Sequence, residues 1–186
     1  MAGSSFWSDS RVEPKRQYRW LININGMPEF AAKKVSKPKA VVSETEHKFL
    51  NHTFYYPGRV NWETVSLTLA DPQEPDVASV LWDMLHGSGY KDPTTYSNAV
   101  STISKARATG QKGLGNVTIR QLGSKASSAA NIDQIEQWTL KNAWIKDMAW
   151  GDLDYSSDDM VDCVVTIRYD YALLSADSNA GKKVNG

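Results

Sequence analysis

The cleanest alternation of apolar and polar residues in the chain runs over residues 161–171, close to the C-terminus. One face carries Val161, Cys163, Val165, Ile167, Tyr169 and Tyr171, and the other carries Asp162, Val164, Thr166, Arg168 and Asp170. Because successive side chains of a strand point to opposite sides, this pattern predicts a half-buried antiparallel strand. The longer stretch 136–174 predicts a strand, a corner, a strand, a turn and then this final strand. We expect the apolar face to join a core and the polar face to meet water or another subunit.

Period-two alternation also predicts strands at residues 17–24, 60–70 and 117–122. The first strand places Tyr18, Trp20, Ile22 and Ile24 on one face, and the second does the same with Val65, Leu67 and Leu69. Asn25-Gly26 has the composition of a tight hairpin turn, so we expect a short returning strand near residues 29–34.

Residues 33–56 do not fit a core strand. Four lysines surround Pro38, which blocks continuous pairing in a sheet. Residues 41–48 and 49–56 each predict an extended segment, and a turn is expected at Pro57-Gly58. A monomer has little use for such a ribbon between two core strands, so we predict a projecting hairpin arm that pairs with another subunit. The candidate interface residues are Phe49, Phe54, Tyr55, Tyr56 and Arg59.

One helix is predicted, over residues 76–86. Its apolar stripe consists of Val77, Val80, Leu81, Met84 and Leu85. Two N-termini compete: Pro75 at the first helical position, or Asp71 as the N-cap with Glu74 three residues later. Gly87 and Gly89 supply the stop signal. The stripe predicts a lid that packs on one face of a sheet.

The remaining segments predict loops and termini. Residues 90–113 form a long polar segment, and residues 123–131 form a Ser/Ala-rich connector. Residues 1–16 predict an N-terminal arm, residues 17–174 the folded domain and residues 175–186 a flexible tail. Phe6 and Trp7 are unusual in such an arm, where they are either exposed by chance or docked on a neighbouring subunit.

Charge and cysteine content exclude several classes of protein. The 186 residues include 21 basic and 21 acidic side chains, so there is no basic excess of the kind that a dedicated nucleic-acid binder shows. Near-neutrality also favours self-association. Cys163 is the one cysteine and predicts a buried small hydrophobic residue. The N-terminus lacks the layout of a signal peptide and no apolar run is long enough to span a bilayer, so we expect a soluble protein made in a cytoplasm.

No constellation of residues predicts catalysis, and we expect neither an enzyme nor a cofactor. The histidines His47, His52 and His86 are scattered and have no metal-ligand spacing. Asp152, Asp154, Asp158 and Asp159 lack the glycine and closing glutamate of a calcium loop, so they predict a polar turn. The glycines near Lys112 do not form a phosphate loop.

Three stretches together resemble a known family. They are RVNWETVSLTLAD before the helix, NVTIRQLG after the long loop, and WTLKNAWIKDMAWGDLDYSSDDMVDCVVTIRYDY near the C-terminus. A Leu-Asp-aromatic triplet before a polar turn, here Leu153-Asp154-Tyr155, precedes the alternating final strand. In this layout, residues 17–174 resemble the tail-tube proteins of contractile-tailed bacteriophages, which are similar in fold to the Hcp proteins of type VI secretion.

The resemblance implies a mainly β fold, in which two antiparallel sheets form a small barrel or sandwich with one flanking helix. It implies hexameric rings that stack into a hollow tube within a virion assembled in the host cytoplasm. The implied partners are other copies of the chain, the tail sheath protein, the baseplate hub, the tail terminator and the tape-measure protein. DNA would pass through the tube without tight binding. Asp162, Thr166, Arg168 and Asp170 are the candidate residues facing the lumen or another subunit.

Two other functions stay open at this point. The same architecture serves as the tube of a type VI-like or extracellular contractile injection system, and the sequence discriminates poorly between these and a phage tail. A stand-alone β-barrel that binds a ligand through its aromatic residues is the third hypothesis.

Overall fold

The computed structural model describes residues 14–92, 102–110, 112–128 and 131–176. The strands are β1 (Trp20–Asn23), β2 (Ala32–Val35), β3 (Ala40–Phe49), β4 (His52–Trp62), β5 (Val65–Ala70), β6 (Val117–Ser128), β7 (Asn131–Lys141), β8 (Trp144–Ala149), β9 (Asp162–Arg168) and β10 (Tyr171–Ala176). The helices are α1 (Val77–Gly87) and the one-turn α2 (Lys105–Ala108), and Glu29–Ala31 forms a 3-10 turn.

The strands form two four-stranded antiparallel sheets and one separate hairpin. The first sheet has the order β1-β6-β7-β10, and the second has the order β2-β5-β9-β8. Among the described strands, β3 and β4 pair only with each other, and we call this pair the arm hairpin. With ten strands and two short helices among the described residues, the protein is mainly β, as predicted. The two sheets form a sandwich and do not close into a barrel within the described residues.

The core lies between the two sheets and is completed by α1. Inward positions alternate along the strands, and the fully buried ones include Val65, Leu67, Leu69, Val117, Leu140, Cys163, Val165 and Ile167. Helix α1 adds Val77, Leu81 and Met84 to the same cluster. Cys163 is a buried free thiol, as predicted, and burial raises its pKa. The alternation in β5 and β9 therefore identified the core correctly.

The predicted hairpin at Asn25-Gly26 is wrong. Gly26 does adopt a positive φ of 77°, but the chain after it changes sheet. Strand β1 pairs with β6 in the first sheet, whereas β2 pairs with β5 in the second. Tyr18 precedes β1 and is 78% exposed, so it is not part of the inward face.

The predicted final strand 161–171 is also two strands. Strand β9 ends at Arg168, and β10 begins at Tyr171 in the other sheet, where it pairs with β7. Tyr169 is buried at the crossover, while Tyr171 is 46% exposed. The alternation continues through the corner because Tyr169 fills the core there, so periodicity alone could not show the change of sheet.

Two further boundaries differ from the sequence prediction. The predicted strand 60–70 is split at Glu63-Thr64, because β4 belongs to the arm hairpin and β5 to the second sheet. The predicted connector 123–131 is largely strand, since β6 continues to Ser128 and pairs with β7 through several register shifts. Pairing with a long neighbouring strand outweighs the weak strand propensity of Ser and Ala.

Helix α1 is confirmed, with a different N-terminus from either predicted one. Asp76 is the N-cap, and its side chain accepts a hydrogen bond from the Ser79 backbone N–H at 3.0 Å. Asp71 also caps the helix, because its Oδ1 accepts the backbone N–H groups of Val77 and Ala78 at 3.0 and 3.2 Å. The polar segment 90–113 contains α2, which the sequence did not predict.

Candidate subunit interface

The arm hairpin is the predicted projecting arm. Its strands have 10 and 11 residues, and every residue in them except Trp62 is exposed. At about 3.3 Å per residue, the hairpin is roughly 30–35 Å long. A solitary two-stranded hairpin is marginally stable in water. Contact with another protein surface would therefore stabilise the arm.

The register of the arm divides the predicted interface residues between two faces. His47 pairs with Phe54 and Phe49 pairs with His52, while Glu46 pairs with Tyr55. Since directly paired residues point to the same side and successive residues alternate, Phe49, Phe54 and Tyr56 share one face. Tyr55 lies on the other face with Glu46. All four aromatic side chains are 49–61% exposed.

The predicted turn at Pro57-Gly58 is instead a β-bulge within β4. The register shifts between Val42 and Glu44, and the Arg59 backbone N–H donates to Ser43 Oγ at 2.8 Å. A Cβ on Gly58 would lie 2.5 Å from Ser43 Oγ and 3.1 Å from its carbonyl oxygen. Glycine therefore favours the close approach of the two strands here, because a side chain would displace Ser43 Oγ and crowd the Ser43 carbonyl oxygen. Arg59, a predicted interface residue, follows the bulge.

The base of the arm is fixed to the sandwich by two contacts, and an ion pair closes the base itself. Arg168 donates a hydrogen bond from its guanidinium to the Trp62 carbonyl oxygen at 2.9 Å. The Trp62 ring lies against the buried Tyr169, with centroids 6.0 Å apart. Lys39 and Glu63 face each other across the base at 3.0 Å. The direction of the arm is thus set where it leaves the second sheet.

Glu136 is a buried carboxylate near this base, on the inward face of β7. Its side chain is only 9% exposed and pairs with two lysines, Lys15 and Lys37, the latter at 2.8 Å. The Trp138 indole N–H also donates to it. Lys15 belongs to the segment before β1, and Lys37 lies between β2 and the arm. One carboxylate therefore ties the N-terminal segment and the approach to the arm to the first sheet.

The environment of Glu136 sets its charge. Burial alone would raise its pKa, but the hydrogen bonds from Lys15, Lys37 and Trp138 outweigh burial and lower the pKa from 4.5 to about 2. The carboxylate is therefore ionised over the neutral and mildly acidic range. Gln121 lies on the same face of the first sheet as Glu136 and donates from Nε2 to the Arg16 carbonyl oxygen at 2.7 Å. This hydrogen bond is a second contact, besides Lys15–Glu136, between the first sheet and the N-terminal segment.

The predicted lumen or subunit-facing residues do not all share a face. Asp162, Thr166 and Arg168 lie on the outward face of β9, opposite the buried Cys163 and Val165. Asp162 pairs with Lys33 at 2.8 Å, and Arg168 holds the arm. Asp170 lies beyond the strand, in the crossover to β10, so its predicted place on this face is wrong.

Asp170 instead connects three elements at the corner of the sandwich. Lys105 of α2 pairs with it at 2.7 Å, and Asn142, in the β7–β8 corner, donates to it at 2.7 Å. These two hydrogen bonds, that of Lys105 first, lower the pKa of Asp170. Asp170 thus has a local structural role.

The segment between β8 and β9 is a second exposed surface. It contains the predicted polar turn, where Asp154 Oδ1 accepts hydrogen bonds from the backbone and hydroxyl of Ser156 at 2.9 and 2.8 Å. Those two hydrogen bonds lower the pKa of Asp154. Its large apolar side chains are also exposed, and Leu153 and Tyr155 are the most exposed of them. No group of carboxylates, histidines and cysteines within the described residues could hold a metal ion.

Sequence reasoning missed Glu136 and Trp62. The signal for Glu136 was present, because a carboxylate occupies the inward period-two position before Trp138 and Leu140. A charge at such a position requires partners, but the lysines that supply them are distant in sequence. Trp62 was missed because the strand that contains it was assigned to the core.

Among the described helices, none has the length and apolar character to cross a membrane.

Comparison with known proteins supports the fold at low sequence identity. No family model and no curated protein sequence matches the chain. A chain of the sheath-tube complex of PVC, an extracellular contractile injection system, in the extended state, matches with a TM-score of 0.61 and 16% identity, covering 88% of this chain and 92% of that chain. A chain from the tube-terminating cap of the anti-feeding prophage matches with a TM-score of 0.62 and 12% identity, over the same two shares.

A chain of the anti-feeding prophage baseplate also matches, with a TM-score of 0.57, 17% identity, 88% of this chain and 97% of that chain covered. At these identities the comparison establishes the fold. The resemblance to tail-tube proteins is confirmed at that level: the protein has the fold of chains found in the sheath-tube complex, the tube-terminating cap and the baseplate of contractile injection systems.

Proposed function

We propose that this chain is a structural tail-tube protein, which forms stacked hexameric rings and builds the hollow inner tube of a contractile phage tail, through which DNA passes. The observation that carries the proposal is the arm hairpin, whose side chains are exposed on both faces although an isolated two-stranded hairpin is only marginally stable. A neighbouring subunit supplies the missing surface. The matching structures, which are parts of large particles, suggest a structural role and not catalysis.

The open edges of both sheets support assembly into a ring. The first sheet ends in β1 and β10, and the second ends in β2 and β8. Edge strands present unpaired backbone groups that accept another strand. A head-to-tail contact that closes by rotation gives a ring, and stacked rings give a filament. The matching baseplate of the anti-feeding prophage is six-fold symmetrised, which supports six subunits in a ring.

The outward face of β9, with Asp162, Thr166 and Arg168, is the proposed lumen or subunit-facing surface. The proposed partners are the tail sheath protein, the baseplate hub, the tail terminator and the tape-measure protein. DNA is expected only in transit, because the chain carries equal numbers of basic and acidic residues. The proposed location is the virion, with assembly in the host cytoplasm.

The tube of an extracellular contractile injection system is the second candidate function. One of the matching chains comes from such a particle. Both functions need the same rings, so they differ in cargo and in the particle that contains the tube. Purified particles from the source organism that contain this chain would separate them: DNA in the tube before contraction supports a phage tail, and protein cargo supports an injection system.

Sedimentation velocity over a concentration series tests the proposed self-assembly. We expect the monomer to give way to a hexamer-sized species and then to larger polymers as the concentration rises. A single monomer-sized boundary at every concentration, from protein with native circular dichroism, would remove the proposal.

A further inference from the structure

The segment between β8 and β9 encloses an open concavity of about 970 Å³ that nothing in the described chain fills. Its lining includes Trp150, Leu153, Tyr155 and Met160, which are 40%, 89%, 113% and 71% exposed. Clustered apolar side chains with this exposure mark an interaction surface. The charged residues of the lining are all aspartates, of which Asp162 is already paired with Lys33.

Residues 150–161 contain four aspartates and no lysine, arginine or histidine. Asp154 accepts its hydrogen bonds from Ser156, and Asp159 accepts one from the Ser157 hydroxyl at 3.1 Å. Asp152 lines the concavity, and Asp158 lies between the lining residues Ser157 and Asp159; neither aspartate has an ion pair or a side-chain hydrogen bond to another described residue. The concavity therefore suits an occupant that is apolar and carries positive charge.

The tip of the arm hairpin has these two properties. Residues 47–52, His-Lys-Phe-Leu-Asn-His, contain one lysine and no carboxylate. Phe49 and Leu50 are 61% and 87% exposed, and the Lys48 side chain is 77% exposed. Its one ion-pair contact, with Glu46, is long at 3.9 Å.

The residues of the turn at the arm tip are unfavourable for the stability of an isolated hairpin. Leu50 has a φ of 51°, in the left-handed region that glycine and asparagine occupy readily and leucine does not. A two-residue hairpin turn favours Asn-Gly over Leu-Asn. A large apolar residue kept in a strained and exposed position indicates a contact outside the chain.

We propose that the arm tip of one copy docks in the concavity between β8 and β9 of another copy, with Leu50 and Phe49 against its apolar lining and Lys48 against Asp152 or Asp158. This inference rests on the proposed tube function and identifies which surfaces of two copies meet. The apolar tip and the concavity supply buried area, and the opposite charges fix the orientation.

Zero-length cross-linking of the assembled protein tests the contact directly. A carbodiimide joins a lysine amine to a carboxylate only when the two are in ion-pair contact. In assemblies mixed from ¹⁴N- and ¹⁵N-labelled protein, we expect peptides that join Lys48 of one label to Asp152 or Asp158 of the other. A set of intermolecular cross-links that omits residues 150–161 would overturn the inference.

Two sets of variants test the same contact by function. Leu50→Gly relieves the left-handed strain. If Leu50 only affects the stability of the turn, assembly of this variant should be unchanged or better. If Leu50 docks, the variant should need at least a tenfold higher concentration to assemble.

Lys48→Asp should weaken assembly, and combination with Asp152→Lys or Asp158→Lys should restore most of it.

The outcomes separate this inference from the proposed function. Tubes that form normally from both Leu50→Gly and Lys48→Asp contradict the docking of the tip and leave the tube intact. Wild-type protein that stays monomeric contradicts both the proposed tube function and the docking of the arm tip. Loss of assembly in the single variants with rescue by one charge swap supports both.

Discussion

Glu136 shows how one side chain can link the sandwich to the segments proposed to reach other subunits. It is an ionised carboxylate on an inward strand position, where burial would be costly without partners. Two lysines from separate segments and one indole supply those partners. Because one lysine precedes β1 and the other precedes the arm, the carboxylate orients both segments together.

Replacement of Glu136 by Gln should destabilise the fold in a pH-dependent way. The folded-state pKa, about 2, is below the usual 4.5, so the stabilisation is present above pH 4.5 and is lost as the pH falls towards 2. Urea unfolding should show a loss of about 1–3 kcal/mol at pH 7. The difference between variant and wild type should shrink steadily between pH 4.5 and pH 2.

Glu63→Gln is the matched control for this measurement. Glu63 pairs with Lys39 at a similar distance, but its side chain is 49% exposed. Removal of an exposed pair should change the free energy of unfolding by less than about 1 kcal/mol. Equal losses in the two variants, or a loss at Glu136 that is independent of pH, would contradict the role given to Glu136.

The two faces of the arm can be distinguished by single aromatic residues. Phe54 and Tyr56 share a face with Phe49, and Tyr55 lies on the other. If the first face contacts a subunit, Phe54→Ser and Tyr56→Ser should each impair assembly more than Tyr55→Ser does. Because all three side chains are exposed, the melting temperature of the monomer should change little.

Sedimentation and thermal melting of the three variants check this prediction. Equal assembly defects in all three would show that both faces are covered in the assembly. Normal assembly in all three would remove these aromatic residues from the interface.

At the scale of elements, local patterns predicted those features that depend on one segment. Period-two alternation predicted the buried faces of β5 and β9, and an apolar stripe predicted the helix. The arm was predicted because residues 33–56 do not fit a core strand. The sheet to which each strand belongs did not follow. β1 and β2, which a segment with a 3-10 turn connects, lie in different sheets, and so do β9 and β10, which two residues connect. Alternation along a strand is the same whichever partner the strand has, so it could not show this.

For the candidate subunit interface, too, the sequence predicted the local features but not the long-range contacts. The exposed aromatic residues of the arm stand out in the sequence because no core strand needs them. The contacts that fix the arm, from Arg168 and Tyr169 to Trp62, join residues more than a hundred positions apart. Such pairs are set by the packing of the sheets and leave no local pattern.

Shortening the arm should separate folding from assembly. Val42 and Val60 are directly paired, so residues 43–59 can be replaced by Asn-Gly, which closes a two-residue turn. The removed residues are all exposed, so the variant should keep the melting temperature of wild-type monomer within a few degrees. It should sediment as a monomer at concentrations where the wild type polymerises.

A matched control keeps the arm and changes only its composition. Glu44→Gln and Glu46→Gln together preserve the strand length, the aromatic residues and Lys48, so assembly should persist more than it does in the shortened variant. Polymers of normal length from the shortened variant would show that the arm does not connect subunits.

At the scale of the molecule, two sheets with edge strands, an arm that the described residues hold only at its base, and a near-neutral chain are what we expect of a subunit of a larger assembly. In the proposed assembly, the sandwich is the rigid body, the edge strands pair laterally and the arm reaches a neighbouring subunit. The fold shared with chains of contractile injection systems is consistent with this description. The central claim is therefore one of self-assembly.

Negative-stain electron microscopy of the purified protein at high concentration tests that claim most directly. The account predicts hollow rings with six-fold symmetry in end views and stacked rings or tubes in side views. Isolated particles of monomer size in every field, from protein that melts cooperatively, would contradict it.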